Sequence, residues 1–379
     1  MSNQPDPSQD VSSNQNGDDP APEASEQAPP MTATLMGRLF VVPALVVCVL
    51  LGVAVVVVFF GASSLEHPAS MNDLLDRLQT DPGDKTMGML FPEARESWQA
   101  AQELARRLED KDRFLRPDQV DPTAERIIDI LKQDDAQGGS GAVEGPMAQR
   151  GHARKLFLIV ALGRLGSPLA VEPLGRLLED RDEQTRQAVL QALARMGKLA
   201  QTRRVLPKVY ELLDDPVPAV EMIACLTVAM IAERGDAEAI GQVARKLEAD
   251  REIQWNAALA LSRLGSKRGK LVLMNMLDRS FWEGIDLKYE EDGATVRRKF
   301  TEAEVEYRLR AAIDAASRLD DDQLRALVVK LSRNDKSPVV RDAALKACEH
   351  GGVDEGPKAG GPEAFGDVRV CGVVAGEVS

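Results

Sequence analysis

The chain has 379 residues, 44% hydrophobic, 28% charged and 4% aromatic, with a formal net charge of −13. That length exceeds one ordinary domain and predicts several structural units or one long repeat array. Three histidines and four cysteines leave little material for a metal site or a disulfide framework, and the aromatic shortage excludes a β-sandwich.

The acidity is concentrated in the tails and the first helical block. Residues 1–37 carry six acids and no base, 66–142 carry −7, 143–350 carry +2 and 351–379 carry −3. A body so nearly balanced gives no electrostatic footprint for nucleic acid. Residues 1–37 are Ser, Asn, Gln, Asp, Glu and Pro, too poor in bulky apolar side chains to offset their ordering entropy, and are expected to be disordered.

Next comes Leu39 to Ala62, 24 residues without a charge. At ~1.5 Å per helical residue they cover the ~30 Å of a bilayer's hydrocarbon, so 38–63 is expected to be a transmembrane helix. The length and the acidic arm before it distinguish it from a signal peptide, although Gly61-Ala62-Ser63 offers small residues to a peptidase. Arg38 on one flank, against Arg77 as the first base on the other, favours the repeats on the non-cytoplasmic side; the unpaired Cys225 and Cys348 suit a reducing cytosol.

Helices are expected at about 71–79, 92–111 and 117–133, making an acidic helical block over 64–136. The Gly-rich stretch 137–146 reads as a linker separating this block from the C-terminal two thirds of the chain. From Met147 the chain repeats itself. ALGRLG (161–166), ALARMG (192–197), MIAERG (230–235), ALSRLG (260–265) and AASRLD (315–320) each close an Ala/Leu-rich helix. The second helices end in LLED, LLDD, LEAD, MLD and SRND, and the successive Gly-to-Gly intervals are 31, 38 and 30 residues. Paired helices of this kind each carry one apolar face too large to leave wet, and stacking them buries a continuous core. The expected fold is all-α, an α-solenoid over 147–352, with a flexible Gly-rich tail over 353–379.

On the stretch LGRLGSPLAVEPLGRLLEDRDEQTRQAVLQALARMG (162–197) and on SPVVRDAALKACEHGG (337–352), the chain resembles the HEAT-repeat family, and within it the short HEAT-like repeats first associated with phycobilisome bilin lyases. The resemblance covers about 150–350. It implies a curved solenoid whose concave face engages other proteins. The lyase activity is not carried over, because no catalytic constellation accompanies it.

Regularity breaks at residues 279–300, RSFWEGIDLKYEEDGATVRRKF, where Asp292-Gly293 reads as a two-residue hairpin turn and Thr301 with Glu304 as a capping box. Insertions in solenoids map to loops on one face, and Trp, Tyr and Arg dominate interface energies. Two readings stand. Phe281, Trp282, Tyr289, Arg297 and Arg298 present a partner-contacting flap, or the hairpin packs its aromatics back onto its own solenoid. Arg203-Arg204 and Lys267-Arg268, at helix starts in turns, are further candidates for docking an acidic segment. Arg164, Arg195, Arg263 and Arg318 recur two residues before a turn, as a basic ladder or as helix-end caps.

His67, His152 and His350 lie in separate regions, and the chain has no Walker loop, GxGxxG or GxSxG elbow. No cofactor, metal or catalytic residue is therefore assigned and the chain is read as a non-enzyme. Its partners are expected to be a protein, the membrane through Leu39–Ala62 and its own copies, with no nucleic acid. A self-assembling envelope component and a lyase-like enzyme or enzyme subunit are the alternatives.

Overall fold

The computed structural model describes residues 70–79, 96–138, 146–197, 199–291 and 294–350. The expected arm 1–37, the span 38–63, the tail 353–379 and the turn residues Asp292-Gly293 lie outside the described residues. Among the described residues no helix is long and apolar enough to cross a membrane.

The described chain is helical throughout except for one hairpin. Its first helices are α1 (Met71–Gln79), α2 (Glu96–Arg107), α3 (Lys111–Phe114), α4 (Pro117–Gly138), α5 (Pro146–Leu165) and α6 (Val171–Leu177). They are followed by α7 (Glu183–Arg195), α8 (Leu206–Glu211), α9 (Pro218–Ile231), α10 (Ala237–Ala244), α11 (Arg251–Arg263), α12 (Lys270–Met276) and α13 (Arg279–Glu283). After β1 (Asp286–Glu291) and β2 (Ala294–Lys299) come α14 (Glu302–Ser317), α15 (Asp322–Asn334) and α16 (Pro338–His350).

These elements pack in two rows. Helices α2, α5, α7, α9, α11, α14 and α16 each lie against the next, and the shorter second helices α6, α8, α10, α12 and α15 cover one side of that row. Local chemistry starts and stops each helix. Asp182, Asp236 and Asp321 cap α7, α10 and α15 by accepting backbone N–H bonds, and proline opens α9. Gly166 and Gly265 follow the ends of α5 and α11 with φ of 68° and 78°, and Gly235 makes the turn between α9 and α10 with φ of 86°, a left-handed conformation costly for other residues. Close packing rests on small residues: a methyl group at Gly163 would fall 2.7 Å from the Cα of Ala192 on the neighbouring α7.

The acidic block does not stand apart from the array, as its Gly-rich boundary led one to expect. Helix α2 packs directly on α5, and one hydrophobic core runs without interruption from Leu74 to Leu264. Arg154 on α5 donates to the Leu78 carbonyl at 2.8 Å, Lys111 to the Leu165 carbonyl at 3.0 Å, and Ser167 to Asp121 at 2.6 Å. The physical reason is the apolar face Ala101, Leu104 and Ala105 of α2, continued by Leu108 just beyond it, which is buried beneath α5 and α1. A glycine-rich composition says nothing about burial, so a composition boundary here is not a packing boundary.

A second hydrophobic cluster, from Trp255 to Ala344, meets the first at α11: Ala257 and Leu261 face one way, Trp255 and Ala258 the other.

Candidate partner-binding surface

The insertion is a short helix followed by a hairpin. Helix α13 begins where Asp278 caps it through the Ser280 N–H at 3.0 Å. Strands β1 and β2 then pair antiparallel from Asp286 opposite Lys299 to Glu291 opposite Ala294, with Tyr289 opposite Val296. That register leaves two residues to make the turn, as the Asp-Gly pattern predicts. Thr301 and Glu304 form the expected capping box at the start of α14.

Trp282 corrects the flap reading. Its indole is fully buried, and its Nε1 donates to the Met276 carbonyl at 2.8 Å. Trp255 lies edge-on at 4.6 Å between ring centroids, Phe281 at 5.1 Å and Phe300 at 5.8 Å. The Arg308 guanidinium sits over this cluster, 4.8 Å from the rings of Trp255 and Phe300 and 5.3 Å from Trp282. Burial pushes the Arg308 pKa down from its ordinary value, against the upward pull of Glu252 and Glu304. Phe281, Trp282 and Phe300 thus fold back into the core, because a bare indole gains more from burial than an exposed one can contribute in water. Phe281 is half-buried in the same cluster.

The hairpin's arginines stay outside. Arg298 is exposed and forks onto Glu304 with two bonds of 2.7 Å, while Arg297 is exposed on the same strand, within electrostatic reach of Asp286. The Arg298 bond, opposed by partial burial and reinforced by Thr301, holds the Glu304 carboxyl at about 2. A carboxylate with a depressed folded pKa stabilises above its unfolded value and loses that contribution as pH falls. We therefore expect the hairpin base to loosen between about pH 4.3 and 2. The melting temperature of the wild-type chain should decline more steeply over that window than that of Glu304→Gln, and parallel declines would refute the assignment.

The two basic turns lie on different repeats. Arg203 and Arg204 start the second helix after α7, and Lys267 and Arg268 start the one after α11, with α10 between them in the chain. Arg203 is paired with Glu233, and Lys267 with the Asp320 carbonyl and, at 4.0 Å, Asp321. Arg204 and Arg268 are exposed and form no side-chain hydrogen bond or ion pair among the described residues. The residues singled out by sequence are therefore not one constellation: Phe281 and Trp282 belong to the core, Arg298 to the hairpin base, and only Arg204, Arg268 and Arg297 are disengaged cations. Of the four recurring arginines, two are engaged by neighbouring groups near helix ends and a third is buried. Arg164 donates to the Ala105 carbonyl and to Glu109, Arg318 bonds Asp314 at 3.0 Å, and burial lowers the pKa of Arg263.

Sequence reasoning missed Leu271. It is 75% exposed on α12, three residues after Arg268 and therefore on the same face. Alignment of the buried residues Val209, Val243, Leu273 and Val328 places Pro207, Gly241 and Ala326 at its position in α8, α10 and α15. Only the period of the buried positions, read across repeats, reveals this row. Among the described residues no group of His, Cys, Asp and Glu could hold a metal ion, and burial pushes the Cys225 thiol up to about 12, leaving it unreactive.

Set beside known proteins, residues 154–227 match the profile of HEAT repeats. No curated protein matches the chain. Among solved structures it is similar to the complex of CpcE and CpcF of phycocyanin lyase from Nostoc sp., at 16% identity and a TM-score of 0.41, covering 75% of this chain and 97% of that one. A designed armadillo repeat protein in complex with the peptide (KR)4 has 14% identity and a TM-score of 0.36, covering 73% and 99%. Human deoxyhypusine hydroxylase has 16% identity and a TM-score of 0.28, covering 74% and 96%. At these scores the likeness carries no argument about activity. The chain is similar to HEAT repeats over 154–227, and the helices on either side continue the same two-row packing.

Proposed function

We propose that this chain is a membrane-anchored scaffold whose HEAT-like array holds a protein partner close to the bilayer. The anchor is Leu39–Ala62, and the repeats face the non-cytoplasmic side. The observation that carries the scaffold reading is Leu271, an exposed leucine on the second-helix face, beside the disengaged Arg268. Leu271 is the most exposed of the large apolar side chains among the described residues, and with the unengaged Arg268 one turn before it, it is the surface we assign to the partner.

Crosslinking in cells, extraction of the full-length tagged chain in mild detergent, and mapping of the joined lysines tests this. One dominant protein joined through Lys208, Lys267 or Lys270 is the expected result. Its capture should fall at least tenfold in Arg268→Glu/Leu271→Ser, with the melting curve unchanged. A second reading, self-assembly into an envelope layer, is favoured by α16, a first-row helix with Val339 and Leu345 exposed. Recovery of the chain alone, at high order, would move the assignment there.

A further inference from the structure

The last first-row helix is built like the others but is not covered like them. Counted from the first helical residue, the eighth position of α7, α9, α11 and α14 is Leu190, Cys225, Ala258 and Leu309. The eleventh is Leu193, Val228, Leu261 and Ala312, and all eight side chains are 0% exposed. After α9, α11 and α14 the chain turns back and lays a second helix against the one it has just left. At α11 it comes so close that a methyl group at Gly269 would fall 2.8 Å from the Cα of Ala258. In α16 the eighth position is Leu345, 52% exposed, and the eleventh is Cys348, also exposed. Val340 and Ala344 hold α16 on α14 and α15. It therefore carries the inward positions of a first-row helix with no second helix over them among the described residues.

The sequence after α16 holds a candidate cover, outside the described residues. Gly351–Ala364 contains five glycines and two prolines, a composition without an apolar face. Phe365–Val374 follows as FGDVRVCGVV, six of its ten residues apolar. Val368 and Val370 alternate with Asp367 and Arg369, so an extended segment has one apolar side. The lengths agree. Helix α16 has 13 residues and is ~20 Å long. Six extended steps from Val368 to Val374 also cover ~20 Å, and a glycine-rich link of 14 residues has a root-mean-square span of roughly 20 Å.

We propose that Phe365–Val374 folds back over Leu345 and Cys348, takes the place of the missing second helix, and closes the end of the hydrophobic core. Connectivity selects this occupant over a second copy of the chain. In the earlier repeats the same slot is filled by the residues that come next in the chain, and a short flexible link holds a segment at about millimolar effective concentration. Burial of apolar surface holds the contact, and the charges do not oppose it. On α16, Lys346 pairs with Asp342 at 2.7 Å, and Glu349 forms no side-chain hydrogen bond or ion pair among the described residues. The segment brings one acid, Asp367, and one base, Arg369. With the segment in place the array has a finished end, which keeps its last repeat from stacking on another copy. The proposal goes beyond the scaffold reading and does not depend on it.

Cys348 reports the contact. Its alkylation by N-ethylmaleimide in the full-length chain in detergent is followed by mass spectrometry of the peptide that contains it. The wild-type rate should be at least tenfold slower than that of a chain ended after Ala364, and independent of protein concentration. Val368→Ser/Val370→Ser should react as fast as the shortened chain, and so should Leu345→Ser, an exposed position whose replacement leaves the array folded. These replacements are neutral, so the thiol's own reactivity is unchanged. A fast rate in the wild type, or slow rates that persist in all three variants, overturns the proposal. Slowing that grows with protein concentration also overturns it and assigns the face to a second copy. Capture of a partner through Arg268 and Leu271 is a separate measurement, so either reading can fail while the other stands.

Discussion

Replacing Trp282 with alanine should unfold the C-terminal part of the array rather than strip a contact from its surface. The indole is fully buried against Trp255, Phe281 and Phe300, and its loss leaves a large cavity, the Met276 carbonyl without its donor and Arg308 without one of its rings. Truncations of this type cost on the order of 3–5 kcal/mol. Because the hydrophobic core is divided at α11, the damage should stay on the Trp255–Ala344 side. In a Trp98→Phe background, urea titration followed by the fluorescence of Trp255 should show an early transition while far-UV circular dichroism still reports the helices of the first cluster. The flap reading expects the opposite, an unchanged unfolding curve with lost partner capture. Leu271→Ala is the matched control: an exposed side chain, whose removal should change stability by less than about 0.5 kcal/mol.

Asp335→Ala should be nearly as damaging, for an electrostatic reason. The Asp335 side chain is 1% exposed and is held by Arg279 and by the Ser337 N–H at 2.9 Å, while its backbone carbonyl accepts from Arg341 at 2.6 Å. Removing the carboxylate leaves the largely buried Arg279 with only the half-exposed Glu302 at 2.6 Å. Breaking one side of a buried pair costs about 3–5 kcal/mol, whereas replacing both sides by apolar residues is often neutral, so Arg279→Met/Asp335→Leu should recover most of the loss. The pH dependence gives an independent check. Burial works to raise the Asp335 carboxyl, but the Arg279 and Ser337 bonds outweigh it and hold the group below the usual carboxylate range. Stability from a depressed carboxyl is present above its unfolded value, near ~3.9, and fades as pH falls below it. The gap in urea midpoint between wild type and Asp335→Ala should thus narrow from pH 7 to pH 3; a constant gap would mean that the loss is one of packing alone.

Arg186 and Asp215 repeat this buried fork earlier in the array, with bonds of 2.8 and 2.9 Å, Arg186 also donating to the carbonyls of Asp180 and Arg181. A second pattern, Asp, five residues, then Arg, at 180–186 and again at 335–341, marks where Arg186 and Arg341 donate to the backbone carbonyls of Asp180 and Asp335. Where glutamate takes the arginine's place, at Glu221, the partner changes sign too and Lys246 answers it. Charge pairing in the turns therefore follows the repeat even where the residues do not.

The paired-helix architecture, the turn positions and the hairpin were all legible in the order of residues. Period, helix-breaking glycine and aspartate caps act within a few residues, so Gly166, Gly235, Gly265 and the Thr301–Glu304 box could be read without any tertiary information. That order left open which side of the hairpin Trp282 faces and whether the acidic helices before residue 138 join the same core. It also left open that Leu327 and Leu331 line a cleft between α12 and α15, and that Lys208 and Lys246 pair across neighbouring repeats with Glu179 and Asp214. Those outcomes depend on which residue stands opposite, across contacts as far apart as the 76 positions between Leu78 and Arg154, and on the competition between burial and solvation at each contact. Local pattern sets where a helix begins and ends; the packed array decides what each of its faces meets.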